Sequence, residues 1–225
     1  MSERVLLKIG AICVILGVIV FAVAGSFHGG HEPHNLIVTL PQYAANNNWM
    51  TVHLAQFVGQ FLAAIGLVAL YRSINDGPAA GLAQFGFFTT LVSISTYAVV
   101  QGVDGVAIKF VADEWVNASG AEKAVAFRVA EAVREIEIGL TGFSVLLFGV
   151  TFIFFGLAIA LSHAYPRWLG WVTVPVGILL IVVGLGFAYS GFVPWAVNLG
   201  LVSGVAVLIW SLITGRLMWH RAGSV

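Results

Sequence analysis

The sequence predicts an all-α membrane protein built as a bundle of six transmembrane helices. Hydrophobic residues make up 60% of the chain and charged residues 9%, whereas soluble domains average about 45–50% and 25%. Six stretches each supply the roughly 20 mainly apolar residues that a membrane-spanning helix needs. The chain has 225 residues and no long soluble stretch that could form a separate domain, so residues 1–225 are predicted to form one polytopic transmembrane domain.

The predicted spans are separated by short turns and by two longer polar segments, 26–48 and 109–135. Asn75-Asp76-Gly77-Pro78 is a turn signal between the second and third spans. Ser119-Gly120-Ala121-Glu122 is a capping-box pattern. It predicts an outer amphipathic helical extension that leads directly into the fourth span. The spans cover approximately residues 5–25, 49–70, 82–108, 136–161, 168–190 and 195–214.

Small residues recur at helical spacing on three spans and predict close packing between helices. The fourth span has a glycine every seven residues, the second has a small residue every four, and the sixth contains a GxxxG motif. In that order, the residues are Gly142, Gly149 and Gly156; Ala55, Gly59 and Ala63; and Gly200 with Gly204.

The distribution of basic residues predicts the orientation of the bundle. Six spans place both termini on the same side, which carries six lysine and arginine residues against four on the other. Because cytoplasmic loops are enriched in such residues, we expect cytoplasmic termini. The first apolar run of about 20 residues is longer than the 7–15 of a signal peptide, so we expect it to remain as an uncleaved helix.

Three predicted spans carry a narrow polar stripe near the side opposite the termini. At 100° per residue, each stripe falls within an arc of about 60–80°. Because polar groups inside a bilayer are costly when they face lipid, they should face one another or a wet cavity. The sequence therefore predicts an outward-opening polar pocket. Its predicted ligand-binding residues are His53, Gln56, Gln60, Tyr97, Gln101, Asp104, Glu131 and Arg134.

The same stripes have a second interpretation as a hydrogen-bonded clasp that fixes helix packing. In that case, Arg134 pairs with Asp104 or Glu131, and the glutamine side chains bond to one another. Interhelical polar contacts of this kind contribute about 0.6 kcal/mol each on average.

A histidine-rich segment next to the second span suggests metal binding. His28, His31 and His34 lie within seven residues of one another, and His53 follows on the second span. Histidine is the commonest metal ligand, and nitrogen ligands with carboxylates suit zinc, copper or iron. The sequence therefore predicts a metal site at His28, His31, His34 and His53, completed by Glu131 or Asp104. The alternative is a solvated loop that binds metal adventitiously.

Several runs of residues resemble a known group of proteins. They are 49–57, 101–107, 122–123, 130–134 and 166–170, which include Trp49-Met50-Thr51-Val52-His53 and Gln101-Gly102-Val103-Asp104-Gly105. Together they resemble uncharacterised six-helix integral membrane proteins of bacteria, frequent in actinobacteria. The resemblance implies a compact bundle in the bacterial plasma membrane and implies no activity.

Three classes of function follow from these patterns. The first is binding of a metal ion or a small polar ligand in the polar pocket. The second is a membrane-embedded, metal-dependent hydrolase or oxidoreductase that acts on a lipid-like substrate, and the third is a structural or accessory subunit. Ten basic and ten acidic residues balance, which argues against a nucleic-acid partner. The expected partner is the lipid bilayer. Many secondary transporters contain inverted repeats, and the sequence shows no such repeat, which argues against a transporter.

The orientation can be tested with two labels. A reporter fused after Val225 should be cytoplasmic, because the basic residues favour that side. A cysteine introduced at Gly120 should react with a membrane-impermeant maleimide added to intact cells. Labelling of the C-terminus from outside would contradict the predicted topology.

Overall fold

The computed structural model describes residues 2–29 and 35–224, and in this part of the chain six helices are long and apolar enough to cross a membrane. The protein is therefore a multi-pass membrane protein, and the predicted all-α six-helix fold is confirmed. The elements are α1 (Glu3–Ser26), α2 (Leu36–Ala45), α3 (Trp49–Ser73), α4 (Gly77–Gly102), α5 (Ile108–Asn117), α6 (Gly120–Leu161), α7 (Arg167–Ser190) and α8 (Pro194–Arg221). A π-helical segment, Val103–Ala107, joins α4 to α5.

Two of the spans are much longer than a bilayer requires. The helix Gly77–Asn117 has 41 residues and α6 has 42, so each is about 60 Å long against a hydrocarbon core of about 30 Å. Both exceed the core by about 30 Å. We call the end of the bundle that carries the termini the terminal face and the opposite end the distal face.

The distal face contains a short helix that the sequence patterns did not predict. This helix, α2, packs against α5, and its Leu40 and Tyr43 are buried together with Trp49 at the start of α3. α6 begins at Gly120, next to the predicted cap residue Ser119, although the Ser119 side chain makes no capping hydrogen bond to the described residues. α2 and α5 therefore form a small hydrophobic cluster over the distal end of the bundle.

The terminal face is closed by Arg221 at the end of α8. Its guanidinium donates hydrogen bonds to the carbonyl oxygens of Ala164 and Ser73, at 2.9 and 3.4 Å. The hydroxyls of Tyr165 and Ser73 are 2.6 Å apart. These contacts join the α3–α4 and α6–α7 turns to the C-terminal helix.

Helices α6 and α7 pack closely along their length, and both contribute glycines every seven residues. A Cβ atom on Gly149 would lie 2.6 Å from the carbonyl oxygen of Gly177, and one on Gly177 would lie 2.7 Å from that of Gly149. The same reciprocal contact joins Gly142 to Gly184 and Gly156 to Gly170. The predicted close packing of the fourth span is confirmed, and its partner is a matching glycine row on α7.

The other two small-residue patterns have different outcomes. Gly59 on α3 packs against Gly17 on α1, where an added Cβ would lie 2.7 Å from the Gly17 carbonyl oxygen, so that prediction is confirmed. On α8, a Cβ at Gly204 would meet no atom of the described residues within 4 Å, and one at Gly200 would make only ordinary contacts at 3.5 and 3.6 Å. The predicted close approach at the GxxxG motif is therefore wrong.

The glycine row predicts a position-dependent effect of one added methyl group. Gly149→Ala should lower the free energy of unfolding by about 1–3 kcal/mol, because the methyl group would collide with the α7 backbone. Gly204→Ala is the matched control, since it adds the same group to a spanning helix where there is space. Unfolding of detergent-solubilised protein would measure both, and equal effects would contradict the packing argument.

Candidate metal centre

Three potential metal ligands converge at the distal face. His28 Nε2 is 3.1 Å from His53 Nε2, and Asp104 Oδ2 is 3.0 Å from His53 Nε2 and 3.6 Å from His28 Nε2. We call these three residues the triad. It is the group of histidine, cysteine, aspartate and glutamate side chains in residues 2–29 and 35–224 whose ligand atoms lie close enough to hold a metal ion.

Each member of the triad comes from a different element. His28 follows the C-terminal end of α1, His53 lies one turn into α3, and Asp104 lies in the π-helical segment. Asp104 is about 40 Å along its helix from Gly77, so the triad lies near the distal edge of a bilayer whose core is about 30 Å thick. Three side chains that can each coordinate a metal ion therefore lie together at one boundary of the membrane.

The π-helical segment lets Asp104 and His53 come together. π-helical turns are rare and occur often at functional sites, since the wider turn changes the direction of the side chains. Gly105 in this segment packs directly on His53, and a Cβ there would lie 2.5 Å from the His53 Cβ. A larger residue at 105 would therefore displace the imidazole ring.

Backbone carbonyl groups fix the protonation pattern of both imidazoles. His53 Nδ1 lies 2.8 Å from the Trp49 carbonyl oxygen, and His28 Nδ1 lies 3.0 Å from that of Gly29. A carbonyl oxygen can only accept, so each Nδ1 carries the hydrogen and donates it. In the neutral rings, each Nε2 then presents a lone pair. The two Nε2 atoms and a carboxylate oxygen therefore face one another.

Trp49 holds the triad from the side. Its indole Nε1 donates a 2.8 Å hydrogen bond to the backbone carbonyl of Asp104. The ring centroid of Trp49 is 4.5 Å from that of His53 and 4.7 Å from that of His28. Only 1% of Trp49 is exposed, so this residue positions all three members while remaining within the protein.

The triad is open on the His28 side. The side chains of His53 and Asp104 are 2% and 15% exposed, whereas that of His28 is 32% exposed. Burial lowers the pKa of His28, but the nearby carboxylate of Asp104 raises it, and the net pKa lies above the usual value. The carboxylate thus stabilises positive charge between the three groups.

The second buried charged group is Arg134. The prediction that it pairs with Asp104 or Glu131 is wrong. The guanidinium donates to both carboxylate oxygens of Glu137, at 2.8 and 2.7 Å, and to the Tyr43 hydroxyl at 2.7 Å. Arg134 and Glu137 are 5% and 3% exposed. Glu137 is one turn after Arg134 on α6, so this local pairing replaces the predicted pairing with Asp104 or Glu131.

The other predicted pocket residues lie in several environments. Glu131 pairs with Arg128 at the protein surface, at 2.8 Å. Tyr97 lies between Phe21 and Phe148.

The three glutamines differ in burial. Gln56 is buried with its amide nitrogen next to Gly25 of α1. Gln60 is partly buried. Gln101 is buried one turn before Asp104. A ligand-binding role for these glutamines, Glu131 and Tyr97 stays a prediction.

Two of the predicted metal ligands, His31 and His34, lie outside the described residues, and their role also stays a prediction.

Three residues of the site did not emerge from the sequence patterns as site residues. Tyr43 and Trp49 stabilise the site by packing their rings together, with centroids 4.2 Å apart. Glu137 stabilises it by pairing with Arg134. The i, i+3 spacing of Arg134 and Glu137 is a detectable signal, since such residues are neighbours on a helix. No comparable signal marks Tyr43, because its helix is short and its partners are distant in sequence.

The comparisons with known proteins give no match: no family model, no curated protein and no solved structure is similar to this chain.

The buried pair predicts a non-additive effect of mutation. Arg134→Ala should lower the free energy of unfolding by about 3–5 kcal/mol, because it leaves the Glu137 carboxylate buried without its partner. Arg134→Ala combined with Glu137→Gln should be less harmful than Arg134→Ala alone. The matched control is Arg128→Ala, which removes a solvent-exposed pair on the same helix and should have little effect. Additive effects in unfolding measurements would mean that the two residues are not coupled.

Proposed function

We propose that this membrane protein binds one divalent transition-metal ion, zinc or iron(II), at the triad of His28, His53 and Asp104. The observation that carries the proposal is the convergence of two Nε2 atoms on a carboxylate oxygen, with both Nδ1 atoms within hydrogen-bond distance of backbone carbonyls. Three acceptor atoms in contact repel one another unless a cation lies between them.

The distances between the ligand atoms suit a metal ion. Ligands about 2.0–2.1 Å from a tetrahedral ion are about 3.3 Å from one another. The three observed separations are 3.0, 3.1 and 3.6 Å. The hydrogen bonds from each Nδ1 to a carbonyl also match the outer interactions that orient metal-binding histidines. The set of ligand atoms and its supporting contacts therefore both favour coordination.

A proton is the competing cation. If one imidazole is protonated, its Nε2–H can donate to Asp104 and the repulsion is relieved without metal. The two cases differ in stoichiometric metal binding, which an imidazolium–carboxylate pair does not give. Metal binding would also release the proton, since only a neutral imidazole is a ligand.

We further propose that the triad opens to the exterior of a bacterial plasma membrane. The excess of basic residues on the terminal face supports cytoplasmic termini, and the triad is at the opposite face. The resemblance described above supports a bacterial membrane. An exterior site would take its metal from outside the cell.

A metal-dependent enzyme is the second candidate, supported by the number of ligands. The described residues supply three, and two histidines with one carboxylate leave positions open in catalytic zinc and iron(II) sites. A groove of about 550 Å³ between α1 and α3 is lined by Phe27 and Val52, the chain neighbours of His28 and His53. It is mainly apolar, with Asn46 and Asn48 contributing polar groups, so it would suit a lipid-like substrate. Azide binding to the Co²⁺-loaded protein would reveal an open position.

Metal titration tests the main proposal. Protein purified without a histidine tag and treated with a chelator should bind one Zn²⁺ per chain, measured by competition with a fluorescent chelator. His53→Ala and Asp104→Asn should each weaken binding at least about 10–100-fold, since even an outer partner of a metal ligand contributes that much. His163→Ala, which removes an exposed histidine at the terminal face, should leave the affinity unchanged.

The same titration separates the triad from the other histidines of the histidine-rich segment. His28→Ala should weaken binding, whereas single substitutions of His31 or His34 should matter less than His53→Ala, because a ligand on a rigid helix positions a metal more reliably. Stoichiometric binding that survives His53→Ala would assign the metal to the histidine-rich segment. Failure to bind one Zn²⁺ or Fe²⁺ would leave a protonated pair as the explanation.

A further inference from the structure

A groove lies between α1 and α8, near the terminal face of the bundle. It has a volume of about 420 Å³. Four apolar side chains of α1 line it together with two side chains of α8. The lining residues are Ile12, Ile15, Leu16 and Ile19 of α1, and Arg216 and Trp219 of α8. A mainly apolar groove therefore includes one guanidinium group in its lining.

The charged part of the groove lies toward the membrane surface. α8 ends at Arg221 on the terminal face, so Trp219 and Arg216 lie within about two turns of that end. α1 runs in the opposite direction, and Ile19 lies about 10 Å beyond Ile12 toward the middle of the membrane. The groove is thus charged near the lipid headgroups and apolar at greater depth, which matches the two parts of a phospholipid molecule.

A second cation, Lys8 of α1, joins Arg216 at this end of the groove. Lys8 Nζ lies over the ring of Trp219, 5.3 Å from its centroid. Since Trp219 and Arg216 line the same groove, this contact brings the Lys8 ammonium group to its charged end. Tryptophan rings and basic side chains at helix ends are typical of the boundary between lipid and water.

Close packing of α1 on α8 fixes the position of the groove. A Cβ on Gly215 would lie 2.6 Å from Ile15 Cγ1, and one on Gly10 would lie 2.8 Å from Met218 Cε. These contacts align the two helices beside the groove, and Ile15 also lines it. The apolar part of the groove is therefore built on two helices in direct contact.

Negative charge on the terminal face is directed away from the groove. The acidic residues of this face are Glu3 and Asp76. Glu3 lies about 140° around α1 from Lys8, and Asp76 accepts a 3.1 Å hydrogen bond from the backbone nitrogen of His163 in another turn. The lining of the groove contains no carboxylate. An anion at its charged end would therefore meet two cations.

We propose that this groove binds one anionic phospholipid molecule from the leaflet at the terminal face. Arg216 and Lys8 would hold its phosphate, and an acyl chain would lie along the apolar side chains of α1. Basic pockets between spanning helices bind anionic lipid headgroups in this way. A zwitterionic lipid carries its own ammonium group, which the two cations repel. The lipid site is separate from the triad and does not depend on metal binding.

Competition between two lipids tests the proposal. Protein reconstituted with equal amounts of phosphatidylglycerol and phosphatidylcholine, then extracted in mild detergent, should retain one phosphatidylglycerol per chain in native mass spectrometry. Arg216→Gln should lower the ratio of retained phosphatidylglycerol to phosphatidylcholine about fivefold, since one basic residue near a membrane surface contributes about that factor. Lys8→Gln should lower the ratio as well.

Arg167→Gln is the matched control for the loss of charge. Arg167 is exposed on the terminal face beside the exposed Trp168, but neither residue lines the groove. The substitution removes the same charge from the same face, next to the same kind of ring. It should therefore leave the ratio of the two lipids unchanged.

A substitution in the apolar part distinguishes a shaped site from general attraction to charge. Leu16→Trp would fill the groove without changing its charge, so the retention of phosphatidylglycerol should fall. Leu201→Trp is its control, because it places the same ring on α8 at a position that is 67% exposed and outside the groove. It should leave retention unchanged.

Three outcomes would overturn the lipid site. Equal retention of the two lipids would make the groove an ordinary lipid-facing surface. Equal losses in Arg216→Gln and Arg167→Gln would show attraction to surface charge alone. A changed oligomeric state in Leu16→Trp, with the bound lipid unchanged, would assign the groove to a second copy of the chain. Phosphatidylglycerol should remain bound in His53→Ala, so failure of the lipid site and failure of the metal site are separate results.

Discussion

The geometry of the candidate site depends on Trp49. Its backbone carbonyl accepts the Nδ1 hydrogen of His53, and its indole nitrogen donates to the backbone of Asp104. One residue therefore sets the direction in which the His53 lone pair points and fixes the π-helical segment that carries the carboxylate. The ring also packs on His28. The cluster is rigid because these contacts are buried, which is what a metal centre requires of its supporting residues.

The two buried charged groups of the distal face, the triad and the Arg134–Glu137 pair, form separate sets of contacts. Arg134 is bound by Glu137 and Tyr43, so its positive charge is balanced within α6 and α2. Had Arg134 paired with Asp104, the guanidinium would compete with a metal ion for the carboxylate. The local pair leaves Asp104 with two imidazoles as its neighbours. Tyr43 connects the two groups, since its hydroxyl contacts Arg134 while its ring packs on Trp49.

Close helix packing far from the triad brings its members together. Gly17 of α1 and Gly59 of α3 allow those backbones to touch, and His28 and His53 lie beyond this contact at the distal ends of the same two helices. The glycine rows of α6 and α7 fix the other half of the bundle. Side chains at these positions would separate the helices, so the absence of side chains is what permits triad residues from distant parts of the chain to meet.

The sequence by itself determined the membrane class and the six spans, because a bilayer demands about 20 apolar residues per crossing and satisfied backbone groups within each helix. It also marked His28, His53 and Asp104, since histidine and carboxylate side chains are typical metal ligands and helical spacing reveals which polar residues share a face. Helix periodicity describes one helix at a time, so the choice of partners was left to the tertiary structure. The tertiary structure decided that Arg134 binds Glu137, that Asp104 and not Glu131 lies beside the two histidines, and that the glycines of α7 match those of α6. The π-helical turn then set the position of Asp104, and no regular helical pattern encodes such a turn.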